Sequence, residues 1–305
     1  MEPIIGDENA NVLVGTELAD TVIGLLGDDT LLGNLDDDVL AGNAGLDVLF
    51  GENGNDLMLG GQNDDSLNGG QGNDTISGNL GSDLVLGNEG DDLIFGGQND
   101  DTLAGNAGSD VLFGDLGNDL ILGGRDGDDI RGGQNNDTLA GNLGSDTIEG
   151  NEGDDLIFGG QERDILIGGE GNDTLIGDRG VNVLKGDGGA DVFIMRTDVA
   201  LGDPDRLATS AQFRTDVIVD FDGTTDKIGL TDGLTENNLI LQSTQLPTQL
   251  VAPLFESGDR LSDVVLDPNN DGLVESTFVQ IIDGPVLAVA LNTTSTDIGG
   301  NFIGV

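Results

Sequence analysis

Apolar side chains return along this chain at every ninth position: Leu13, Val22 and Leu31, then on through Met58, Ile94 and Leu139 to Leu184 and Phe193. Two residues ahead of each is an acidic place, and seven ahead is a glycine, from Gly6, Gly15 and Gly24 to Gly186 without a slip. Twenty-one glycines share that register, and the acidic place holds Asp in nineteen of the twenty-one units, with Asn only at Asn11 and Asn182. So regular a repeat predicts a solenoid of small stacked units. Within one unit, G-x-x-G-x-D reads as a loop whose glycines accept positive φ. The x-U-x that follows reads as a minimal strand, with the apolar U side chain inward and its neighbours outward. The second glycine place is often Asn (Asn34, Asn43, Asn79, Asn88, Asn106, Asn142, Asn151), the non-glycine residue that best tolerates the left-handed region.

Composition alone points the other way. The 305 residues include 53 Gly, 58 acidic and 10 basic side chains and 3% aromatics, a balance that by itself reads as disorder. The apolar place never lapses, so the period overrides that reading. Composition does exclude chemistry: without His or Cys there is no zincin site, thiol protease, Ser-His-Asp triad or structural zinc site. A net charge of -48 repels phosphate backbones and anionic membranes, so neither a nucleic-acid partner nor membrane insertion is expected. The opening MEPIIGDENANVLVG has no basic or apolar stretch of a cleavable signal, and no apolar run of membrane-spanning length follows, so the expectation is a soluble chain without an N-terminal export signal.

The units GGQGNDTIS, residues 69 to 77, and GGEGNDTLI, residues 168 to 176, resemble the RTX (hemolysin-type) nonapeptide G-G-x-G-x-D-x-U-x, and the likeness covers roughly residues 6 to 194. The resemblance implies an all-β fold, a parallel β-roll with two nonapeptides per coil, and calcium held between stacked loops. Loops that alternate between two edges stack on the second loop along, so Asp56 meets the loop of Asp74 and Asp65 that of Asp83. Two carboxylates and several backbone carbonyls then converge, an all-oxygen, anionic donor set that suits Ca2+ rather than zinc or copper. On the resemblance, the metal-ligating role falls on Asp20, Asp29, Asp38, Asp47, Asp56, Asp65, Asp74, Asp83, Asp92, Asp101, Asp110, Asp119, Asp128, Asp137, Asp146, Asp155, Asp164, Asp173 and Asp191. An Asp in a loop can instead cap a turn through its own backbone amides, but that reading leaves the accumulated charge unexplained.

Eleven loops on one edge and ten on the other leave room for at most about 19 ions, whose combined charge nearly cancels the -48. Without ions, carboxylates stacked about 4.8 Å apart repel one another, so the ion-free chain is expected to be expanded and folding to be coupled to binding. Some loops depart from the pattern. Gly15-Thr-Glu-Leu-Ala-Asp20 lacks the inner glycine, Glu162 and Arg163 precede Asp164, and Asn182 has lost the carboxylate. Arg125 and Arg179 also enter loops, where they relieve local negative charge.

The outward positions are not uniformly polar. Every second strand gives Val48/Phe50, Ser66/Asn68, Leu84/Leu86, Thr102/Ala104, Leu120/Leu122, Thr138/Ala140 and Leu156/Phe158, large and small pairs in turn. A ribbed apolar face is expected on that side, with lateral self-association or a cell-surface or polysaccharide partner as its use. The other face carries Leu57/Leu59, Leu93/Phe95 and Val111/Phe113, then turns polar at Asp129/Arg131 and Thr147/Glu149. The repeats occupy residues 1–194 and a small β-rich cap residues 195–305. In the latter, Gly188-Gly-Ala-Asp-Val-Phe193, Asp216-Val-Ile-Val-Asp-Phe-Asp222 and Asp226-Lys-Ile-Gly-Leu230 resemble the C-terminal cap of serralysin-type RTX proteins. That likeness implies export through type I secretion machinery. Asp267, Asn269 and Asp271, ahead of Gly272, are spaced as in a calcium loop, although Phe278 takes the place of its closing Glu. The function expected is a secreted, extracellular or cell-surface calcium-binding scaffold. A polysaccharide-binding or adhesin module is the alternative. An enzyme is disfavoured, because loop register explains the acids and the Trp and Tyr that sugar sites favour are missing.

Overall fold

The computed structural model describes residues 2–195, 216–230, 239–247, 273–281, 286–291 and 301–304, with Thr293 and Ile298. The fold is all-β, a parallel β-roll solenoid with two nonapeptides per coil. It divides into two compact units, Met1–Leu156 and Ile157–Val305.

In Met1–Leu156, successive nonapeptides alternate between two parallel sheets, so each strand pairs with the next but one along the chain. One sheet aligns Leu57, Thr75, Leu93, Val111 and Asp129. The other aligns Val48, Ser66, Leu84, Thr102, Leu120 and Thr138. The inward apolar residue of each unit explains this order. From Val22 to Ile148 every one of these side chains is 0% exposed, while Leu13, in the first full coil, is only half-buried. Burying one such Leu or Ile contributes roughly 2 kcal/mol, and the contribution recurs once per nonapeptide.

The expected three-residue strand is too short. The strands run six residues, as in Thr75–Leu80 and Leu84–Glu89, and only three residues separate them. Pairing continues past the first glycine: Phe95 pairs with Ser77, the Gly96–Gly78 level is skipped, and Gly97 and Gln98 pair with Asn79 and Leu80. The sheet turns a corner there and carries on. The second place of each unit makes the corner, with positive φ at every such residue from Leu25 to Asp187. At Asn79 (φ 75°) the side-chain amide also donates to the Ser77 carbonyl at 3.2 Å, a local bond that glycine cannot make.

In Ile157–Val305, Ile165–Glu170 pairs in parallel with Val183–Gly188, which pairs with Asp216–Ile218, and that in turn with Val286–Leu291. On the second sheet Thr174–Arg179, Val192–Met195, Lys227–Leu230 and Phe302–Gly304 follow in parallel. Antiparallel pairing then takes over, from Val286–Leu291 to Leu273–Ile281 to Leu239–Pro247. Phe193, fully buried, meets the Phe221 ring at 6.1 Å.

Candidate metal centre

All nineteen Asp residues of the repeat register, from Asp20 to Asp191, lie at 4% exposure or less. Within Met1–Leu156 they are brought together as two ladders, one on each edge. The Asp38 amide donates to Asp56 Oδ1, Asp56 to Asp74, and Asp74 to Asp92, at 2.7 to 2.8 Å. The same bond links Asp47 to Asp65, Asp65 to Asp83 and Asp83 to Asp101 at 2.7 to 2.8 Å. From Asp29 to Asp155 each carboxylate thus commits one oxygen to the backbone of the coil before it. The other oxygen has no such use. In Asp29, Asp38, Asp47, Asp56, Asp65, Asp74, Asp83, Asp92, Asp101, Asp110, Asp119, Asp128 and Asp137, Oδ2 is buried and hydrogen-bonds to nothing.

A buried anionic oxygen without a partner is costly, and repeating it thirteen times calls for a common partner. Where these oxygens point tells what it is. A Cβ added to Gly60 would sit 2.6 Å from Asp65 Oδ2 and 2.8 Å from the Gly78 carbonyl oxygen. Carboxylate and carbonyl oxygens therefore converge beside a glycine whose bare Cα leaves them room. Among the described residues no three acidic side chains stand so that they alone could hold a metal ion. A cation at these rungs accordingly takes its further ligands from loop carbonyls, which fits a hard, oxygen-loving ion such as Ca2+.

The electrostatics agree. In the ion-free ladder burial pushes the carboxyls up, to about 6 at Asp56 and Asp119, about 7 at Asp74 and Asp92, and about 8 at Asp101, Asp128 and Asp137. The amide hydrogen bond opposes that rise, and the carboxylates of the neighbouring rungs add to it. A cation between rungs reverses the penalty at its source.

The ladder ends differ from its middle. Thr16 donates its amide and hydroxyl to Asp20 Oδ2 at 2.6 and 2.7 Å, holding that carboxyl below its usual value, so this loop ties the acid to itself. The sequence reading missed two further rungs. Asp216 Oδ1 accepts from the Asn182 amide at 3.2 Å, and Asp226 Oδ1 from the Asp191 amide at 3.1 Å. Their signal was present as Asp-x-apolar in Asp216-Val-Ile218 and Asp226-Lys-Ile228, stripped of the glycines. Asp220 was missed as well; half-buried, with its pKa raised to about 6, it accepts from the amides of Gly186 and Asp187. Asp267, Asn269 and Asp271 lie outside the described residues.

A second, exposed ladder was also not foreseen. One place before the buried Asp, the Ser82 amide donates to Asp64 Oδ1, Asp91 to Asn73, Ser109 to Asp91 and Asn118 to Asp100, at 2.8 to 3.0 Å. Here the donor lies one coil after the acceptor, the reverse of the buried ladder. Each loop is clamped from both neighbours.

A family model described as the RTX calcium-binding nonapeptide repeat (4 copies) matches residues 5–40, 32–67, 59–94, 68–103, 95–130, 131–166 and 158–193. No curated protein matches the chain. The matched stretches run without a gap from residue 5 to 193, more than half the sequence, and follow the same register as the buried carboxylates. The chain is a calcium-binding repeat protein and belongs to the RTX nonapeptide-repeat family.

Proposed function

We propose that this protein is a secreted structural scaffold that folds when it meets extracellular calcium. The observation that carries the reading is the row of thirteen buried, unpartnered carboxylate oxygens, each beside a glycine and ten of them also beside a backbone carbonyl. Asp20 to Asp191 supply the carboxylates, with about 19 ions as the upper bound and Asp20 among the weaker sites because Thr16 already engages it. Calcium supplies the positive charge that lets these acids stay ionised while buried. Calcium-binding modules that work outside cells have dissociation constants of about 10⁻⁴ to 10⁻³ M, so the Asp-bearing repeats of such a chain stay unfolded in cytosol and fold after export. At free calcium ten times that constant each site adds about 1.4 kcal/mol. Over many sites that decides the fold.

Residues 195–305 serve in this reading as cap and export region for type I secretion machinery, by their likeness to serralysin-type caps. The role is structural rather than catalytic: the family match covers repeats alone, and the acids are committed to the ladders. The apolar ribs are the contact surface, and the partner we favour is a second copy of the chain. Leu84 and Leu120 are 42% and 39% exposed while Ala104 is 9%, so ridges alternate with troughs on a face carrying no charge from Val48 to Ala140. Polysaccharide binding is less well supported. Phe95 and Phe113 stack on each other at 5.1 Å, and Arg131 lies 4.8 Å over the Phe113 ring, so these rings are engaged along the ladder and not turned outward to a sugar.

Circular dichroism with size exclusion, from chelator to about 10 mM calcium, tests the reading. A cooperative gain of β signal with compaction is expected. A compact β fold in chelator would overturn it.

A further inference from the structure

Asn182 keeps the geometry of the buried ladder and changes its chemistry. Its Oδ1 accepts from the Asp164 amide at 2.9 Å, the bond that a carboxylate oxygen makes at the other rungs. A Cβ on Gly177 would meet Asn182 Nδ2 at 2.6 Å, as a Cβ on Gly60 would meet Asp65 Oδ2 at 2.6 Å. The carboxamide nitrogen therefore sits where the unpartnered carboxylate oxygen sits elsewhere. An amide nitrogen is a donor and offers a cation nothing. It donates instead to the Gly177 carbonyl at 2.7 Å and to Asp216 Oδ1 at 3.1 Å, and the Asn182 backbone amide donates to the same Oδ1 at 3.2 Å. Asn182 is 0% exposed, so water does not compete for these bonds.

A second feature of the same strand points the same way. Lys185, 7% exposed, holds its ammonium 2.8 Å from Asp187 Oδ1, and the amides of Gly186 and Asp187 donate to Asp220 at 2.9 and 2.7 Å. Carboxylates here are answered by groups built into the chain.

We propose that the Asn182 rung is a metal-free member of the ladder, in which the carboxamide takes the place of the cation and this part of the roll keeps its geometry without calcium. The proposal rests on the calcium reading of the other rungs. Native mass spectrometry of the calcium-loaded full-length chain counts ions, and hydrogen exchange in chelator follows the amides of Asp164, Asn182 and Val217. Asn182→Asp is expected to bind one calcium more than the parent. In chelator those three amides should exchange at least tenfold faster in the variant than in the parent, with calcium restoring their protection. Asn182→Ala, which removes the donor without adding a carboxylate, is expected to lose the chelator-resistant protection and gain no ion, a result that holds even where Asn182→Asp misfolds. Parent amides that exchange in chelator as fast as that of Asp74 would overturn the proposal, as would an Asn182→Asp chain that folds with an unchanged ion count. A parent that binds no calcium at all would instead overturn the calcium reading on which the proposal rests.

Discussion

At the level of single residues, the buried carboxylates make acid and calcium competitors. The pKa of Asp74, Asp92, Asp101, Asp128 and Asp137 rises from 3.8 to about 7 or 8 in the ion-free roll, with burial as the leading cause. A carboxyl whose folded pKa is raised favours folding while protonated. That contribution is complete below about pH 3.8 and is lost as pH climbs through 6 to 8. In chelator the roll should therefore gain β signal on acidification from pH 8 to pH 4, as read by circular dichroism. Calcium needs the ionised form, so the calcium midpoint should move to higher concentration between pH 8 and pH 6. Leu25 poses a different problem. It holds φ at 84° in the corner place that Asn or Gly fills in most other units, and a bulky side chain pays about 1 to 2 kcal/mol there. It is 42% exposed, so little burial is lost on replacement. Leu25→Asn should raise stability by about 1 kcal/mol in saturating calcium, measured by denaturant melting.

Loops and strands divide their labour differently from the division the sequence suggests. The exposed ladder needs no metal. Asn73→Ala removes the acceptor for the Asp91 amide and should cost about 1 kcal/mol while leaving the number of bound calcium ions unchanged. Asp74→Asn, one residue further, should lower that number; titration calorimetry of the two variants separates the roles. The buried ladder was legible because a fixed period left Asp56, Asp65 and Asp74 no other place to go. The inward Val22-to-Ile148 column was legible for the same reason. The exposed ladder was not, because Asp, Asn and Ser share it with Leu46, Gly127 and Arg163, and mixed residue types hide a common backbone bond. Asp216 and Asp226 escaped because they join the ladders from well beyond the regular two-unit spacing, with no glycine to mark the loop. Strand length was misjudged at the glycines, which read as loop although Gly97 and Asn79 stay paired.

For the whole molecule, charge and corrugation set the behaviour. With -48 to neutralise, two copies repel until calcium fills the ladders, so the association we propose through the ribs should itself be calcium-dependent. Neighbouring ridges lie two strands apart, about 9.6 Å, and two copies facing each other share that pitch, so the ridges of one meet the troughs of the other when displaced by a strand. Replacing Phe50, Leu86 and Leu122 together by Ser should leave the calcium transition in place and shift the loaded protein to monomer, as seen by light scattering. An unchanged assembly state would remove the ribs from the account.

The two ladders that run in opposite directions bear on how such a chain can change its length. In the buried ladder every interior coil from Asp38 to Asp128 receives and passes on the same amide-to-carboxylate bond, so deleting one whole coil there leaves no amide or carboxylate of that ladder stranded. The outer surface is less forgiving. Loss of residues 66 to 83 would bring Val48/Phe50 directly beside Leu84/Leu86, two ridges with no trough between them. Insertions and deletions that spare both the interior and the corrugation come in steps of two coils, so under the proposed rib-to-rib association the roll should change length by 36 residues at a time.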